Sequence, residues 1–254
     1  MVLAAAREDK PTVAVILMFV AVFLFTLIDS SAKWLILYGL PAVQVIFARY
    51  CGAFLVSILF FVPRGGLNQF VSNNPKLQFS RAIALLGGTT FNFLALQFLP
   101  ITTTIAIFFA MPLVITVLGY LILGEKVGFR RFAAVFVGFL GVLIIIQPWG
   151  EEFHWAMILS VAALFFASSY FILTRLLAGQ DNNATSQLWS SGVATFAIAP
   201  FALQNWYWPQ TNMGFCVLVI IGVFGAFSHI LATRAHLLAN ASTLAPTMYA
   251  QVIY

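Results

Sequence analysis

The sequence predicts an all-α, polytopic transmembrane helix bundle, and three observations support that prediction. Of the 254 residues, 62% are hydrophobic and only 7% are charged, whereas an average soluble domain carries roughly 25% charged residues. The apolar residues form runs long enough to span a bilayer, which takes about 20 residues. Within these runs polar and apolar residues do not alternate with the period of two that marks a membrane β-barrel.

Interruptions in the uncharged runs place the individual helices. Proline lacks an amide donor, so Leu99–Pro100 divides the first long uncharged run into two spans. The aromatic segment 205–210 divides the second such run and suits the headgroup layer. The predicted spans are residues 11–38, 41–62, 80–99, 101–123, 131–147, 154–177, 185–205 and 213–236, with a ninth that begins near Asn240 and stops at Tyr254.

The distribution of basic residues predicts a cytoplasmic N-terminus. With that orientation the outside loops contain no Lys or Arg, as the positive-inside rule requires. His236 and Arg234, near the inner end of the eighth span, are then expected to reach toward the headgroups. The basic residues assigned to the inside segments are Arg7, Lys10, Arg64, Lys76, Arg81, Lys126, Arg130, Arg131, Arg175 and Arg234.

The composition also excludes several classes of function. The net charge of +5 belongs to segments between the apolar runs, so we predict no nucleic-acid partner. The chain lacks the sequence signatures of P-loop NTPases, zinc hydrolases and serine hydrolases. A Mg²⁺-dependent intramembrane transferase needs clustered acids, and Asp29 is the one acid within a predicted span. We therefore predict no enzymatic activity, no metal site and no cofactor.

The two halves of the chain resemble each other. With a shift of 140 residues, 85–112 lies over 225–252 without a gap, and with a shift of 142, 23–33 lies over 165–175. Five helices in the first half would make the second half run through the membrane in the opposite direction, as in many secondary transporters. The predicted repeats are residues 1–147 and 153–254. The alternative is a chance likeness between runs of Phe, Leu, Ala and Gly.

Predicted helices three to five carry a distinctive set of segments. They are Arg81-Ala-Ile-Ala-Leu-Leu-Gly-Gly, Ala95-Leu-Gln-Phe-Leu-Pro, Met111-Pro112, Gly124-Glu125 and Gly138-Phe-Leu-Gly141. These segments resemble the EamA domain of the drug/metabolite transporter superfamily, and the resemblance extends over essentially the whole chain as two repeats. It implies ten helices, both termini in the cytoplasm, a bacterial inner membrane, and transport of small metabolites such as amino acids, S-adenosylmethionine or riboflavin. It also implies that the rest of the ninth helix and all of the tenth lie beyond Tyr254.

Polar residues on the first helix are candidates for a substrate pathway, because an ionised group inside a bilayer is costly. Asp29 and Lys33 lie one turn apart on the same face, so they are expected either to neutralise each other or to line a cavity. Thr26 and Ser30 extend this polar stripe. Asp29 is also a candidate proton carrier.

Arg49 lies inside the second predicted span. Its guanidinium is suited to bidentate binding of a carboxylate or phosphate. The alternatives are a pair with Asp29 and a side chain that reaches the outer headgroups.

Four further residues complete the predicted pathway. Thr89 and Asn92 share a face of the third helix, either joining helices or binding substrate. His229 corresponds to Thr89 in the repeat and is either a packing group or a proton relay. Tyr249 on the ninth helix is expected to line the cavity.

These features predict a secondary-active transporter that moves a small polar or zwitterionic metabolite by alternating access. The alternatives are a membrane-embedded enzyme, a lipid-handling protein and a non-catalytic membrane subunit. The expected partners are the metabolite and membrane lipid. Small residues on the fifth helix leave a homodimer open; they are Ala134, Gly138 and Gly141.

Overall fold

A computed structural model of the protein describes residues 10–125 and 153–254, together with five single positions between them. The described residues form an all-helical bundle. Its α-helices are α1 (Pro11–Leu37), α2 (Ala42–Gly65), α3 (Pro75–Phe98), α4 (Ile101–Phe108), α5 (Met111–Leu123), α6 (Ala156–Leu177), α7 (Asn183–Ala202), α8 (Asn212–Leu238) and α9 (Ala241–Leu244), and 3₁₀ helices cover Leu67–Phe70 and Ala245–Val252. The predicted fifth helix, 131–147, lies outside the described residues apart from those single positions.

Six segments of the described chain are long and apolar enough to cross a membrane. They are α1, α2, α3, the α4–α5 segment Ile101–Leu123, α6 and α8. α7 is less apolar because Ser, Thr and Gln residues recur along it. All of these polar side chains are buried; they are Thr185, Ser186, Gln187, Ser190, Ser191 and Thr195.

The connections define two ends of the bundle. α1 begins where α8 ends, because the Lys10 amide donates to the Leu238 carbonyl (3.1 Å). We call this end the N-terminal face and the other end the distal face. At the distal face the side-chain amide of Gln44 makes two hydrogen bonds to the backbone of Tyr207, donating to its carbonyl (2.6 Å) and accepting from its amide (3.0 Å).

Two predicted helices are interrupted in the middle of the bundle. The expected continuous helix over 101–123 breaks at Phe109–Ala110, because Pro112 has no amide to donate to the carbonyl four residues earlier. The expected ninth helix is one α-helical turn, α9, followed by a 3₁₀ helix that contains Pro246. Broken helices of this kind free backbone and side chains for a cavity.

Lys33 holds the distal end of α3 and neither pairs with Asp29 nor lines the cavity, the two alternatives that the sequence left open. Its Nζ donates to the carbonyls of Leu96 (2.6 Å) and Leu99 (2.9 Å). The ordinary partner of the Leu96 carbonyl would be the amide of residue 100, which is proline. The lysine therefore satisfies a carbonyl that the chain cannot satisfy locally.

Arg175 holds the corresponding helix end in the second half. Its guanidinium donates to the carbonyl of His236 (2.6 Å) and to Asn240 Oδ1 (2.5 Å), at the end of α8. Arg175 is shifted from Lys33 by 142 residues, and His236 from Leu96 by 140. Each half therefore contains a hydrogen bond of this kind, and the two bonds lie at positions that the repeat alignment makes equivalent.

We expect Lys33→Met to lower the apparent melting temperature by about 6 °C in detergent. The substitution leaves two helix-terminal carbonyls without a charged donor, a loss of about 2 kcal/mol, and proteins of this size shift roughly 3 °C per kcal/mol. Lys76→Met, which removes an exposed lysine of α3, is the matched control and is expected to change the melting temperature by less than about 2 °C. Equal effects of the two substitutions would show that the carbonyl contacts do not stabilise the bundle.

Candidate functional site

A cavity lies at the centre of the bundle. A largely apolar wall with a few convergent polar groups is typical of small-molecule sites. The aromatic lining residues are Phe25, Phe93, Phe108, Tyr170 and Phe171, and the polar ones include Asp29, Arg49, Thr89, Asn92, His229 and Gln251.

Arg49 joins the two halves of the bundle at this cavity. Its Nη1 donates to Thr89 Oγ1 (2.9 Å) and its Nη2 lies 2.8 Å from His229 Nε2. Thr89 and His229 are the positions that the repeat alignment superposes. The aliphatic part of Arg49 lies against Gly225 of α8, which leaves room for it. The side chain is 5% exposed, so it does not reach the headgroups.

The contact with Arg49 assigns the proton on His229. An arginine is always a donor, so His229 Nε2 must accept and the ring proton lies on Nδ1. Nδ1 is 2.9 Å from the hydroxyl oxygen of Tyr170, which accepts that proton. The imidazole therefore connects Arg49 on one side to Tyr170 on the other.

Asp29 lies on the α1 wall of the cavity. Its Oδ1 accepts a hydrogen bond from Asn92 Nδ2 (3.0 Å). Among the described residues, Asp29 makes no direct hydrogen bond to Lys33 or Arg49. The cavity therefore presents a carboxylate and a guanidinium that do not neutralise each other through direct contact.

Two polar atoms of the lining have no hydrogen-bond partner within the described part of the chain. They are Arg49 Nε, a donor, and Asn92 Oδ1, an acceptor. Both residues are more than nine-tenths buried. A buried polar atom without a partner is costly, so Arg49 Nε would gain from a ligand that supplies an acceptor, and Asn92 Oδ1 from one that supplies a donor.

The structure places the predicted pathway residues in two groups. Asp29, Arg49, Thr89, Asn92 and His229 all line the cavity. The others lie outside the lining; they are Thr26, whose hydroxyl donates to the Val22 carbonyl of its own helix (3.1 Å), Ser30, which is exposed, Lys33, and Tyr249, whose ring centroid lies 6.0 Å from that of Phe109.

Sequence reasoning missed Tyr50. This tyrosine is 1% exposed, and its hydroxyl contacts Thr89 Oγ1 (2.7 Å) and the Leu85 carbonyl (2.9 Å). Its ring also lies under the guanidinium of Arg49, 4.5 Å from the ring centroid. Its position directly after Arg49 in a predicted span was the available signal.

Three residues assigned to the inner side are buried within the bundle. Arg81 is 0% exposed, Arg175 is 4% exposed and His236 is 1% exposed. His236 Nδ1 lies 2.8 Å from the Ala232 carbonyl and its ring stacks on Phe171, so it does not reach toward headgroups. A charge pattern locates a residue along the membrane normal but does not show which side of the helix it occupies. These three side chains are buried because they lie on the side that faces the bundle.

A multi-pass helical bundle with a buried polar cavity is an architecture that membrane transporters use. The chain belongs to the EamA-like transporter family, whose family profile matches residues 12–147. This assignment confirms the predicted membership of the drug/metabolite transporter superfamily.

Curated relatives cover nearly the whole chain. A protein of Vibrio cholerae named "Riboflavin transporter" is 30% identical over 251 residues, covering 96% of this chain and 83% of the relative. A protein of Rickettsia bellii named "S-adenosylmethionine uptake transporter" is 28% identical, with 91% of this chain and 80% of the relative covered. A solved crystal structure shares the fold with a TM-score of 0.71 at 18% identity, covering 95% of this chain and 86% of the other.

Proposed function

We propose that the protein is a secondary-active transporter of a small polar metabolite. In this proposal two inverted repeats, residues 1–147 and 153–254, alternate the access of the central cavity between the two sides of the inner membrane. The N-terminus lies in the cytoplasm. The shared contacts of Lys33 and Arg175 support the repeat assignment, because each joins the first helix of its half to the end of the third.

One observation supports the binding role of the cavity above the others. Arg49 Nε and Asn92 Oδ1 are buried, have no partner among the described residues, and belong to the same lining. A solute that fits them carries an acceptor for the guanidinium and a donor for the amide oxygen. The aromatic walls favour a solute with a flat ring, which can stack on them.

The relatives are named for riboflavin and S-adenosylmethionine, and both compounds meet this description. The charge of Asp29 is expected to distinguish between them. Riboflavin is a neutral ring system with adjacent donors and acceptors. S-adenosylmethionine carries a carboxylate for Arg49 together with positive charge for Asp29. We favour a ring-bearing solute of this kind over a lipid, because polar side chains from α1, α2, α3 and α8 converge on a cavity that is otherwise largely aromatic and apolar.

Counterflow in proteoliposomes tests the proposal with both compounds and a panel of amino acids. We expect saturable exchange of one unmodified compound. Asp29→Asn is expected to reduce exchange about tenfold or more if the solute is cationic or zwitterionic, and to change it less than threefold if the solute is neutral. Recovery of a chemically altered compound, or no exchange across the panel by folded protein, would favour an enzyme or a membrane subunit.

The same variant tests proton coupling. If Asp29 carries the coupled proton, Asp29→Asn abolishes accumulation driven by a pH gradient while retaining solute exchange without a gradient. Full gradient-driven accumulation by Asp29→Asn would exclude that role.

A further inference from the structure

We propose that Arg81 closes the N-terminal face of the bundle, and that Tyr170 and His229 connect this closure to the occupancy of Arg49. The inference rests on the proposed transport function only for its last step, the effect of the solute. The closure itself is a property of the protein without a ligand.

Arg81 is the centre of a polar cluster between the cavity and the N-terminal face. It lies on α3 two turns before Thr89 and donates five hydrogen bonds, all to α6, α7 and α8 of the other half. Its partners are Thr174 Oγ1 (2.8 Å), the Ser186 carbonyl (2.8 Å), Ser190 Oγ (2.5 Å), the Tyr170 hydroxyl (2.9 Å) and Thr233 Oγ1 (2.9 Å). We call these six residues the Arg81 cluster.

The hydrogen bonds of the Arg81 cluster can be broken as well as formed. Within residues 10–125 and 153–254, no carboxylate is among the hydrogen-bond partners of Arg81. A buried cation held by neutral groups alone pays a large desolvation penalty, which its hydrogen bonds only partly offset. Water entering from the N-terminal face would remove that penalty. The closed arrangement therefore carries a desolvation cost that hydration of an open arrangement would relieve.

A continuous chain of hydrogen bonds connects this cluster to the cavity. Arg81 Nη2 donates to the Tyr170 hydroxyl, Tyr170 is 2.9 Å from His229 Nδ1, and His229 Nε2 is 2.8 Å from Arg49 Nη2. Tyr170 is 1% exposed, so the chain is shielded from water. Each of these four side chains contacts the next one directly.

A solute on Arg49 would act on this chain directly. The side-on edge of a guanidinium consists of Nε and Nη2, and Nε is the atom without a partner. Nη2 carries two N–H groups, so an acceptor that binds this edge in a bidentate manner shares Nη2 with His229. A guanidinium drawn toward the solute lengthens its contact with His229, and Tyr170 then loses its fixed neighbour, which weakens the Arg81 cluster from the cavity side.

Among the residues that the structure describes, the distal face has no equivalent of Arg81. The repeat shift of 140 places Ile221 at the corresponding position, and this residue is 0% exposed and wholly apolar in its side chain. Near the distal face the described residues join the two halves through the hydrogen bonds of Gln44 with Tyr207 and through the packing of Phe98 against His154 and Trp155. A buried guanidinium joins the halves at the N-terminal face instead. This asymmetry favours a resting state that is closed at the N-terminal face.

Thiol accessibility tests the closure without any solute. Cys51 and Cys216 are replaced by Ser, and Ala167→Cys introduces a thiol in the cavity lining. A membrane-impermeant thiol reagent is applied to each side of sealed vesicles, and protease access to an N-terminal tag identifies the N-terminal face. We expect slow labelling from that face, and about tenfold faster labelling in Arg81→Met.

The control is Lys76→Met, an exposed cation on the same helix, which is expected to leave both labelling rates unchanged. If Arg81→Met fails to fold, Ser190→Ala and Thr233→Val each remove one partner and are expected to raise the rate by severalfold. Labelling from the N-terminal face that is unchanged in every folded cluster variant, or fast in the parent protein, would overturn the proposal.

Tyr170→Phe tests the connection to the cavity. It removes one partner of Arg81 and breaks the chain, leaving the other four hydrogen bonds of Arg81. In the parent protein we expect riboflavin, or S-adenosylmethionine if that compound exchanges, to accelerate labelling from the N-terminal face. In Tyr170→Phe we expect the solute to have no effect. A solute effect of unchanged size would refute the connection, whereas failure of both compounds in counterflow refutes the proposed substrates and leaves the labelling result of Arg81→Met intact.

Discussion

Arg49→Ala is expected to reduce solute exchange at limiting concentration by about 30-fold or more. The change removes the guanidinium from the cavity and with it the donors to Thr89 and His229. Hydrogen bonds to a charged group contribute about 2 kcal/mol, and each 1.4 kcal/mol corresponds to a factor of ten. Counterflow at solute concentrations below half-saturation measures the effect.

Arg64→Ala is the matched control because it removes an arginine from the same helix. Arg64 is exposed and donates to the carbonyl of Phe60 within α2. We expect it to retain more than about half of the parent exchange rate. Arg49→Lys is expected to recover little, since an ammonium cannot reproduce the two-sided contact of a guanidinium. Near-normal exchange by folded Arg49→Ala would show that the solute does not bind at Arg49.

Gly222→Ala is expected to lower the apparent melting temperature by about 6–9 °C. α2 and α8 cross at Gly52 and Gly222, and a Cβ at residue 222 would lie 2.6 Å from Gly52 Cα and 2.9 Å from its carbonyl carbon. Both obstacles are backbone atoms, so the helices must separate. Overpacking of this kind costs about 2–3 kcal/mol, at roughly 3 °C per kcal/mol.

Gly225→Ala, one turn further along α8, provides the comparison. The atom nearest to a Cβ added at residue 225 is Arg49 Cγ, at 3.5 Å, which is an ordinary contact distance. We expect its melting temperature to lie within about 2 °C of the parent protein, since alanine is also the better helix former. Equal destabilisation by both substitutions, measured by thermal unfolding in detergent, would show that the close crossing at Gly52 is not the cause.

The membrane spans followed from the sequence because the bilayer imposes length and polarity on every helix. The starts of α6 and α8 lie within two residues of the predicted positions, whereas α3 starts five residues earlier. Its extra turn begins at Pro75, with the Asn74 side chain accepting from the Leu77 amide, a polar capping arrangement that hydrophobicity does not reveal. The break at Phe109–Ala110 was also missed, since an apolar run looks the same whether or not its helix is continuous.

The cavity residues were predictable to the extent that burial of charge is costly. Asp29 and Arg49 stood out because each lies within an apolar span, and both line the cavity. Lys33 stood out for the same reason but serves the end of α3 instead. Arg81 was assigned to the boundary because only its depth, and not its direction, can be read from the chain.

The sequence by itself determined that this is a multi-pass helical protein of the EamA-like family with a few costly polar groups inside its spans. Composition and helix length decide this. Lipid offers no hydrogen-bond partners to the backbone, so a chain that crosses it must satisfy its backbone groups within helices. The tertiary structure decided which of those polar groups meet. Arg49, Thr89 and His229 come from three helices in two halves of the chain, and hydrogen bonds over 2.8–2.9 Å depend on helix rotation and crossing that no local pattern encodes.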